Sequence, residues 1–240
     1  MPPALVVLIL SLLLGLQPVT TDLYLPALPG LRADFGAAMP QVQLTLTALL
    51  LAFGVSQLVW GPLSDRYGRR PVLLTGLGLY VLTSVASALA PTIDLLILCR
   101  ALQGVAMGAS VVCARALVRD LYNPLEGAQA MSRGLSGLGV IACLSAPLGG
   151  LLADLFGWRA ALLALAVFGA SCFGAIVWRF KETLPQPDAH ALRLGKLAHS
   201  WAQIVRNPTF LACSALSAAS FGGLFTFLAA SSFVFVQVLG

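Results

Sequence analysis

The sequence predicts an all-α polytopic membrane protein, and three features support this fold class: the composition, the grouping of the charges and an internal repeat. Of the 240 residues, 59% are hydrophobic and only 10% are charged, and the mean hydropathy is +0.92. Soluble domains contain roughly 25% charged residues. The composition therefore excludes a water-soluble globular enzyme.

The charged residues are grouped, and the runs between them are long and apolar. Each run approaches the roughly 20 residues that an α-helix needs to cross a bilayer. Met1–Thr21 is either a signal peptide or a retained first helix; it has no preceding Lys or Arg and no small-x-small cleavage site, so we expect it to be retained. We predict seven spans, numbered 1 to 7, at residues 4–27, 40–63, 71–90, 93–118, 131–154, 159–178 and 209–231.

Lys and Arg are concentrated on one side of the predicted spans. Eleven of the fourteen lie at or near the connections 2–3, 4–5 and 6–7, whereas the opposite side has only Arg32 and Arg159, and Arg100 lies within span 4. The positive-inside rule then predicts a cytoplasmic N-terminus. Topology accounts for the net charge of +5, so the charge implies no nucleic-acid partner.

Residues 179–208 form the one long predicted connection, and they separate the first six spans from the seventh. Apolar and basic residues alternate there with a roughly helical period, and the apolar ones are Leu192, Leu197, Trp201, Ile204 and Val205. An amphipathic helix on the cytoplasmic surface of the membrane explains this pattern. A solvated linker is the alternative.

An internal repeat relates the first three spans to the next three. Gly61–Arg70 and Gly150–Arg159 share the pattern G-x-L-x-D-x-(aromatic)-G-x-R, and Asp22–Pro26 has a weaker counterpart in Asp120–Pro124. The two members of each pair are three spans apart, so they lie on opposite membrane faces. An inverted three-plus-three repeat of this kind is typical of secondary transporters, and it favours a transporter over a receptor or an intramembrane enzyme.

The first copy of the repeat lies in the most specific string of the chain, Gly61–Leu73. In it Gly61 would allow close helix contact, Gly68 would allow a tight turn, and Asp65 would pair with a nearby Arg or lie at a helix N-terminus. We predict a gating loop because transporters of this kind move one bundle against another. A charged turn that only sets topology is the alternative. The predicted gating residues are Gly61, Asp65, Arg66, Gly68, Arg69 and Arg70.

Arg100 is the charged residue whose position within the membrane costs the most free energy. It lies about 10 Å inside span 4 by the helical rise, where a charge costs at least ~2.5–3.5 kcal/mol. Asp22 lies at a similar depth, about 8 Å inside span 1, so we hypothesise a direct or water-mediated Asp22–Arg100 pair with a role in proton coupling. A purely structural salt bridge is the alternative. The predicted substrate-cavity residues are Gln103, one turn from Arg100, with Gln17 and Tyr24.

Enzymatic chemistry has no candidate site in the sequence. The five cysteines all lie in apolar runs without C-x-x-C spacing, which argues against a disulfide framework or a metal site. Ser-His-Asp, Cys-His and phosphate-binding arrangements are absent at usable spacing. We therefore expect no enzyme activity, no metal and no cofactor.

Several strings resemble one transporter family. Gly61–Leu73 resembles the signature loop between spans 2 and 3 of the major facilitator superfamily, and Leu98–Gly108 resembles its span 4 motif, whose Arg is tied to proton coupling. Thr21–Pro29, Ala114–Tyr122 and Glu182–Leu184 are similar to the narrower bicyclomycin-resistance (Bcr/CflA) drug-efflux family. The resemblance extends over the whole chain.

This resemblance implies a major facilitator-like six-helix bundle with an inverted 3+3 repeat, plus a seventh transmembrane helix. The implied domains are a bundle at 1–178, a cytoplasmic central linker at 179–208, and the first helix of a truncated C-terminal bundle at 209–240. The implied activity is drug:H⁺ antiport of lipophilic or amphipathic compounds across the bacterial inner membrane. The expected partners are the lipid bilayer, a drug-like small molecule, protons and the missing C-terminal bundle, without which the chain is not expected to transport.

The span 5 motif departs from that of exporters in the family. They carry G-x-x-x-G-P-x-x-G-G, whereas this chain has alanine at 142 and 146 and one residue fewer between Pro147 and the pair Gly149–Gly150. We expect Pro147, Gly149 and Gly150 to support close helix packing. Because of the departure, two other functions stay open: a proton symporter that imports a small organic solute, and an inactive fragment or non-transporting membrane component.

Overall fold

A computed structural model of the chain describes residues 2–192 and 194–233. In these residues the secondary structure is helical and includes no strand, which confirms the predicted all-α class. The helices are α1 (Pro3–Asp22), a 3₁₀-helix (Leu25–Ala27), α2 (Leu28–Phe35), α3 (Met39–Tyr67), α4 (Arg69–Ala88), α5 (Ile93–Leu121), α6 (Pro124–Phe156), α7 (Trp158–Arg179), α8 (Leu194–Arg206) and α9 (Pro208–Phe233).

Six helical segments in the described residues are long and apolar enough to cross a membrane. They correspond to predicted spans 1 to 6, so the polytopic prediction is confirmed. Predicted span 7 falls within α9 (Pro208–Phe233), and its crossing of the membrane stays a prediction. Residues 234–240 of the last predicted domain lie outside the described residues.

Span 1 is not the single helix that the sequence predicted at residues 4–27. α1 ends at Asp22, and the 3₁₀-helix and α2 follow it. Proline has no backbone N–H, so Pro26 and Pro29 cannot donate the helical hydrogen bonds that would reach the carbonyls of Asp22 and Leu25. The chain therefore leaves the α1 axis near the predicted outer surface, and α2 adds a short helix that the sequence did not predict.

Several helices extend beyond their predicted bounds, α6 and α3 by the most. α6 begins at Pro124 rather than at residue 131, because Asn123 caps its N-terminus: the Asn123 side-chain oxygen accepts a hydrogen bond from the Glu126 backbone N–H at 3.0 Å. Proline suits the first helical position, where a backbone N–H is not needed. α3 continues to Tyr67 rather than ending at residue 63.

A single glycine links two long helices in each copy of the repeat. Gly68 lies between α3 and α4 with φ +99° and ψ +161°, and Gly157 lies between α6 and α7 with φ +81° and ψ +170°. Positive φ angles of this kind favour glycine. The two copies of the repeated sequence thus form the same kind of one-residue link, which supports the predicted three-plus-three relation.

The chain divides into two compact units, residues 1–189 and 190–240. In the first unit, α1 and α5 are the most buried spans, whereas α6 and α3 bury little of their surface. α3 and α4 pack on α5, and α6 packs on α1. In the second unit, α8 forms a helix within the predicted amphipathic segment and packs against α9; its position on a membrane surface stays a prediction.

Glycine allows the closest helix contacts of the first unit. A Cβ atom on Gly104 of α5 would overlap the backbone carbonyl of Leu49 on α3, and one on Gly149 of α6 would overlap the carbonyl of Leu23. Gly149 therefore has the predicted packing role. Pro147 is exposed, and a Cβ on Gly61 meets no atom within 4 Å in the described residues. The close contacts that the sequence predicted at these two positions are absent from this part of the chain.

We expect Gly104→Ala to lower the unfolding temperature of the purified protein by several degrees. The added methyl group forces α3 and α5 apart, and overpacking of this kind costs about 1–3 kcal/mol. Gly174→Ala is the matched control, because a Cβ there meets no atom within 4 Å and alanine is the better helix former. Thermal unfolding in detergent measures both variants. Equal stability of the two would contradict the close contact at Gly104.

Candidate functional site

Arg100 lies on α5 and is fully buried. Its Nη1 donates a 2.6 Å hydrogen bond to Oε1 of Gln103, and its Nη2 donates a 3.2 Å hydrogen bond to the backbone carbonyl of Thr20. Its Nε has no hydrogen-bond partner among the described residues. The span 4 motif therefore gives this unit a buried cation without a directly bound carboxylate.

The acceptor on α1 is available because α1 ends nearby. The carbonyl groups of the last turn of a helix have no donors within the helix, and Thr20 belongs to that turn because α1 ends at Asp22. Partial negative charge gathers at a helix C-terminus and favours a cation. Arg100 thus caps the end of α1.

Tyr24 lies directly beneath Arg100. The guanidinium carbon of Arg100 is 4.1 Å from the centroid of the Tyr24 ring, a distance at which a cation is attracted to the ring face. The Tyr24 hydroxyl pairs with Oγ1 of Thr45 on α3 at 2.8 Å. Tyr24 is fully buried in the described residues, and its role at a substrate cavity stays a prediction.

Gln103 also stays a predicted cavity residue. It is fully buried, and its amide joins Arg100 to α4: Oε1 accepts from Arg100, and Nε2 donates to Oγ of Ser84 at 2.6 Å. The sequence predicted correctly that Gln103 shares a helix face with Arg100. It did not predict that Gln103 orients the guanidinium. Gln17, the third predicted cavity residue, is partly exposed on α1.

Asp22 is not bonded directly to Arg100. The ion pairs of the described residues do not include an Asp22–Arg100 pair, and the Asp22 carboxylate instead accepts a 2.8 Å hydrogen bond from Oγ1 of Thr21. Arg100 reaches the backbone of Thr20, two residues earlier, because the end of α1 already offers it an acceptor. The direct form of the predicted pair is therefore wrong, and a water-mediated pair stays a prediction.

The predicted gating loop contains a second buried cation, Arg69. Its Nη1 bonds Oδ1 of Asp65 at 2.7 Å and Oγ of Ser64 at 2.6 Å, and its Nε bonds Oδ2 of Asp120 at 2.9 Å. Arg69 is 1% exposed, so it joins the end of α3, the start of α4 and the end of α5. The predicted pairing of Asp65 with a nearby Arg is observed.

The sequence assigned no role to Asp120, although it belongs to the weaker repeat pair with Asp22. Arg119, which is 70% exposed, adds contacts of 3.6 Å with Asp65 and 3.9 Å with Asp120. Exposed pairs of this kind contribute little to stability. The buried Arg69–Asp120 bond is therefore the main ionic connection between α4 and α5.

Glu182 completes the cluster around Arg69, and the sequence assigned it no role either. Its Oε1 accepts the backbone N–H of Arg69 and its Oε2 accepts the backbone N–H of Arg70, both at 2.9 Å. A carboxylate is favoured at a helix N-terminus, so Glu182 caps α4. The backbone N–H of Asp188 also donates to the carbonyl of Asp65 at 3.0 Å. The chain that follows α7 is thus attached to the α3–α4 link.

Two opposing effects act on the pKa of the Glu182 carboxyl. Burial raises this pKa, but the backbone N–H groups of Leu184, Arg69, Arg70 and Thr183 bind the carboxylate and lower it. The net effect is a pKa below the ordinary value. Glu182 is therefore held as an anion at the start of α4.

The other gating residues lie around this cluster. Arg66 is exposed, and its guanidinium carbon is 5.3 Å from the centroid of the Tyr67 ring. Nη2 of Arg70 donates to the carbonyl of Val177 on α7 at 3.0 Å. Gly68 places its backbone so close to Glu182 that a Cβ there would lie 2.6 Å from a carboxylate oxygen.

The second copy of the repeat uses different chemistry at its link. Trp158 follows Gly157 as Arg69 follows Gly68, and its indole N–H donates to Oδ2 of Asp34 at 2.8 Å. Arg159 pairs with the same oxygen at 3.2 Å. Within the described residues, no group of three or more His, Cys, Asp or Glu could hold a metal ion.

Comparison with known proteins identifies the family. The Major Facilitator Superfamily model matches residues 10–240. The Bicyclomycin resistance protein homolog of Haemophilus influenzae is 30% identical over 235 residues, which cover 98% of this chain and 59% of that protein. The Chloramphenicol resistance protein of Pseudomonas aeruginosa is 36% identical over 227 residues, which cover 92% and 52%. The chain spans about half the length of these relatives.

A solved structure shares the fold. The proton:xylose symporter XylE superimposes with a TM-score of 0.68 at 14% identity, and the match covers 85% of this chain and 52% of XylE. At this identity the likeness concerns the fold alone. Together with the family model, it confirms the predicted major facilitator-like architecture.

We expect Glu182→Gln to lower the unfolding temperature at neutral pH, with a difference that disappears in acid. A carboxyl whose pKa is lowered by folding stabilises the protein above its unfolded pKa, ordinarily 4.5, and this stabilisation is lost as the pH falls through the folded pKa. Thermal unfolding in detergent from pH 7 down to about pH 3.5 follows the change.

The control for this measurement is Glu126→Gln, which alters the only other glutamate of the chain. The Glu126 side chain is exposed on the first turn of α6, and its replacement should leave the unfolding temperature nearly constant. A Glu182→Gln effect that is the same at every pH would contradict the capping role of the carboxylate.

Proposed function

The chain belongs to the Major Facilitator Superfamily, and from that premise we propose that it is the N-terminal part of a drug:H⁺ antiporter. Its substrates are lipophilic or amphipathic compounds, exported across the bacterial inner membrane. The relatives support the direction of transport, since their names refer to resistance to bicyclomycin and to chloramphenicol. The remaining part of such relatives would supply the second bundle.

The single observation that carries the proposal is the buried Arg100 beside the end of α1. A charged side chain at membrane depth is costly and marks a functional site by default. Here the cation is held by a neutral amide and a backbone carbonyl, so no carboxylate is committed to it. Asp22, two residues beyond the carbonyl that Arg100 binds, is therefore free to gain and lose a proton.

In this mechanism Asp22 carries the proton and Arg100 sets the local potential. Proton binding to Asp22 removes a negative charge near the cation. This change in charge alters the affinity for a drug that binds on the same side of the bundle. The cavity itself is proposed to form between the two bundles near the membrane midplane.

The cytoplasmic cluster is proposed to act as a gate. Arg69 joins α3, α4 and α5 through Asp65 and Asp120, and Glu182 attaches the chain after α7 to the same point. A rigid cluster of this kind would let the bundle move as one body against the second bundle. The distribution of Lys and Arg supports a cytoplasmic location for this cluster and for the N-terminus. Domain boundaries near 178 and 208 stay part of the proposal.

We expect Asp22→Asn to reduce proton-driven efflux of chloramphenicol about tenfold or more, because an amide cannot carry the proton. The assay measures drug retained by efflux-deficient cells that express the complete product of the reading frame, with and without a protonophore. Asp94→Asn is the matched control, since Asp94 is an exposed carboxylate on the first turn of α5. The control should transport like the wild-type protein.

The same assay distinguishes the other candidate functions. The altered span 5 motif, with alanine at 142 and 146, is the observation that favours a symporter. Protonophore-sensitive uptake would support that function and overturn the antiporter. No flux in either direction would support a non-transporting component. Efflux that Asp22→Asn leaves unchanged would remove Asp22 from the coupling mechanism.

A further inference from the structure

The hydrogen bonds around Arg100 continue into α4 and return to Arg100 through α1. We infer that Tyr80 and Ser84 of α4 are positioning residues, which orient the Arg100 guanidinium and so allow the proton gradient to drive transport. This inference rests on the proposed antiport function and adds to it two residues that carry no charge and that no sequence motif marked. Both are fully buried and lie one turn apart on α4.

The hydrogen bonds that leave Arg100 and return to it form a ring, and the first branch of this ring runs from α5 to α4. Nη1 of Arg100 donates to Oε1 of Gln103, Nε2 of Gln103 donates to Oγ of Ser84, and both hydrogen bonds are 2.6 Å long. The Ser84 hydroxyl in turn donates to the backbone carbonyl of Tyr80 at 2.7 Å. Gln103 and Ser84 are therefore each both a donor and an acceptor, and this fixes which way the Gln103 amide faces: its oxygen must face the cation.

The second branch runs from α4 to α1. The Tyr80 hydroxyl pairs with Oγ1 of Thr20 at 2.6 Å, and the backbone carbonyl of Thr20 accepts from Nη2 of Arg100 at 3.2 Å. Oγ1 of Thr20 also lies 2.5 Å from the carbonyl of Leu16. Tyr80 thus holds the turn of α1 that binds the cation, and this contact joins the ring.

Two terminal nitrogens alone hold the guanidinium within the ring. Nε of Arg100 is buried without a partner in the described residues, and the Tyr24 ring attracts the cation from one face without fixing its rotation. An aromatic face attracts a cation from any in-plane orientation. Loss of one branch therefore frees the guanidinium to turn, although the cation stays buried.

The groups that accept hydrogen bonds from Arg100 are neutral. The titratable groups that face it are the Tyr24 phenol in the turn after α1, the Tyr80 phenol of α4 and the Cys172 thiol of α7, with Asp22 as the last residue of α1. Gly169 of α7 makes room for the Tyr80 ring, since a Cβ there would lie 2.6 Å from a ring carbon. The position of Arg100 is thus set by neutral donors and acceptors.

The test compares two rates for the complete transporter in proteoliposomes: efflux of chloramphenicol driven by a pH gradient, and exchange of chloramphenicol at equilibrium without a gradient. Ser84→Ala should lower the driven rate about tenfold, as expected for the loss of a hydrogen bond that supports a charged group. The exchange rate should stay within about twofold, because exchange needs no net proton movement. Ser84→Thr keeps the hydroxyl and should restore the driven rate.

Ser87→Ala is the matched control. Ser87 is also fully buried on α4, but among the described residues its hydroxyl bonds only the carbonyl of Thr83, at 2.8 Å and within α4. Both rates should match those of the wild-type protein. If Ser84→Ala fails to reach the membrane, Tyr80→Phe tests the other branch, since it removes the hydroxyl and keeps the ring that packs against Gly169.

The outcomes separate the inference from the proposed function. A wild-type protein that shows exchange but no response to the gradient would overturn the proposed antiport itself. A wild-type protein driven by the gradient, with Ser84→Ala and Tyr80→Phe unchanged, would overturn only the positioning role. Equal losses in driven efflux and exchange would also overturn it, because they indicate a structural role alone.

Discussion

A guanidinium that is buried away from water must find its hydrogen-bond acceptors within the protein, and this requirement orders the first unit around Arg100. The acceptor on α1 exists only because α1 ends at Asp22 and leaves the Thr20 carbonyl free. The acceptor on α5 is Gln103, whose amide must itself be oriented from α4. Three helices are thereby fixed to one side chain.

The two copies of the internal repeat show how the same backbone supports different chemistry. Gly68 and Gly157 form matching one-residue links between long helices. After Gly68 comes Arg69, which binds Asp65 and Asp120. After Gly157 comes Trp158, whose indole N–H donates a hydrogen bond to the Asp34 carboxylate, and the half-exposed Arg159 pairs with the same oxygen. The buried ionic cluster therefore lies at only one of these two links, and the Lys and Arg distribution predicts that this link is cytoplasmic.

Much of the candidate site was predictable, and the part that was not has a common cause. Arg100 and Asp65 stood out because charges are rare in this chain, and their depth or motif indicated a role. Glu182 and Asp120 belong to recognisable motifs, but the residue that both contact, Arg69, is remote from them in sequence. Tyr80 and Ser84 gave no signal, because hydroxyl groups in membrane helices usually bond their own helix backbone.

The sequence by itself determined the membrane class, six of the spans, the repeat and the family. Each of these depends on composition, periodicity or local motifs, which can be found in the order of residues along the chain. Only the tertiary structure decided which acceptors Arg100 uses. The sequence favoured Asp22 as its partner, since opposite charges at similar depth should attract. The end of α1 offered a carbonyl and a helix dipole at closer range, and that geometry depends on how α1 and α5 pack.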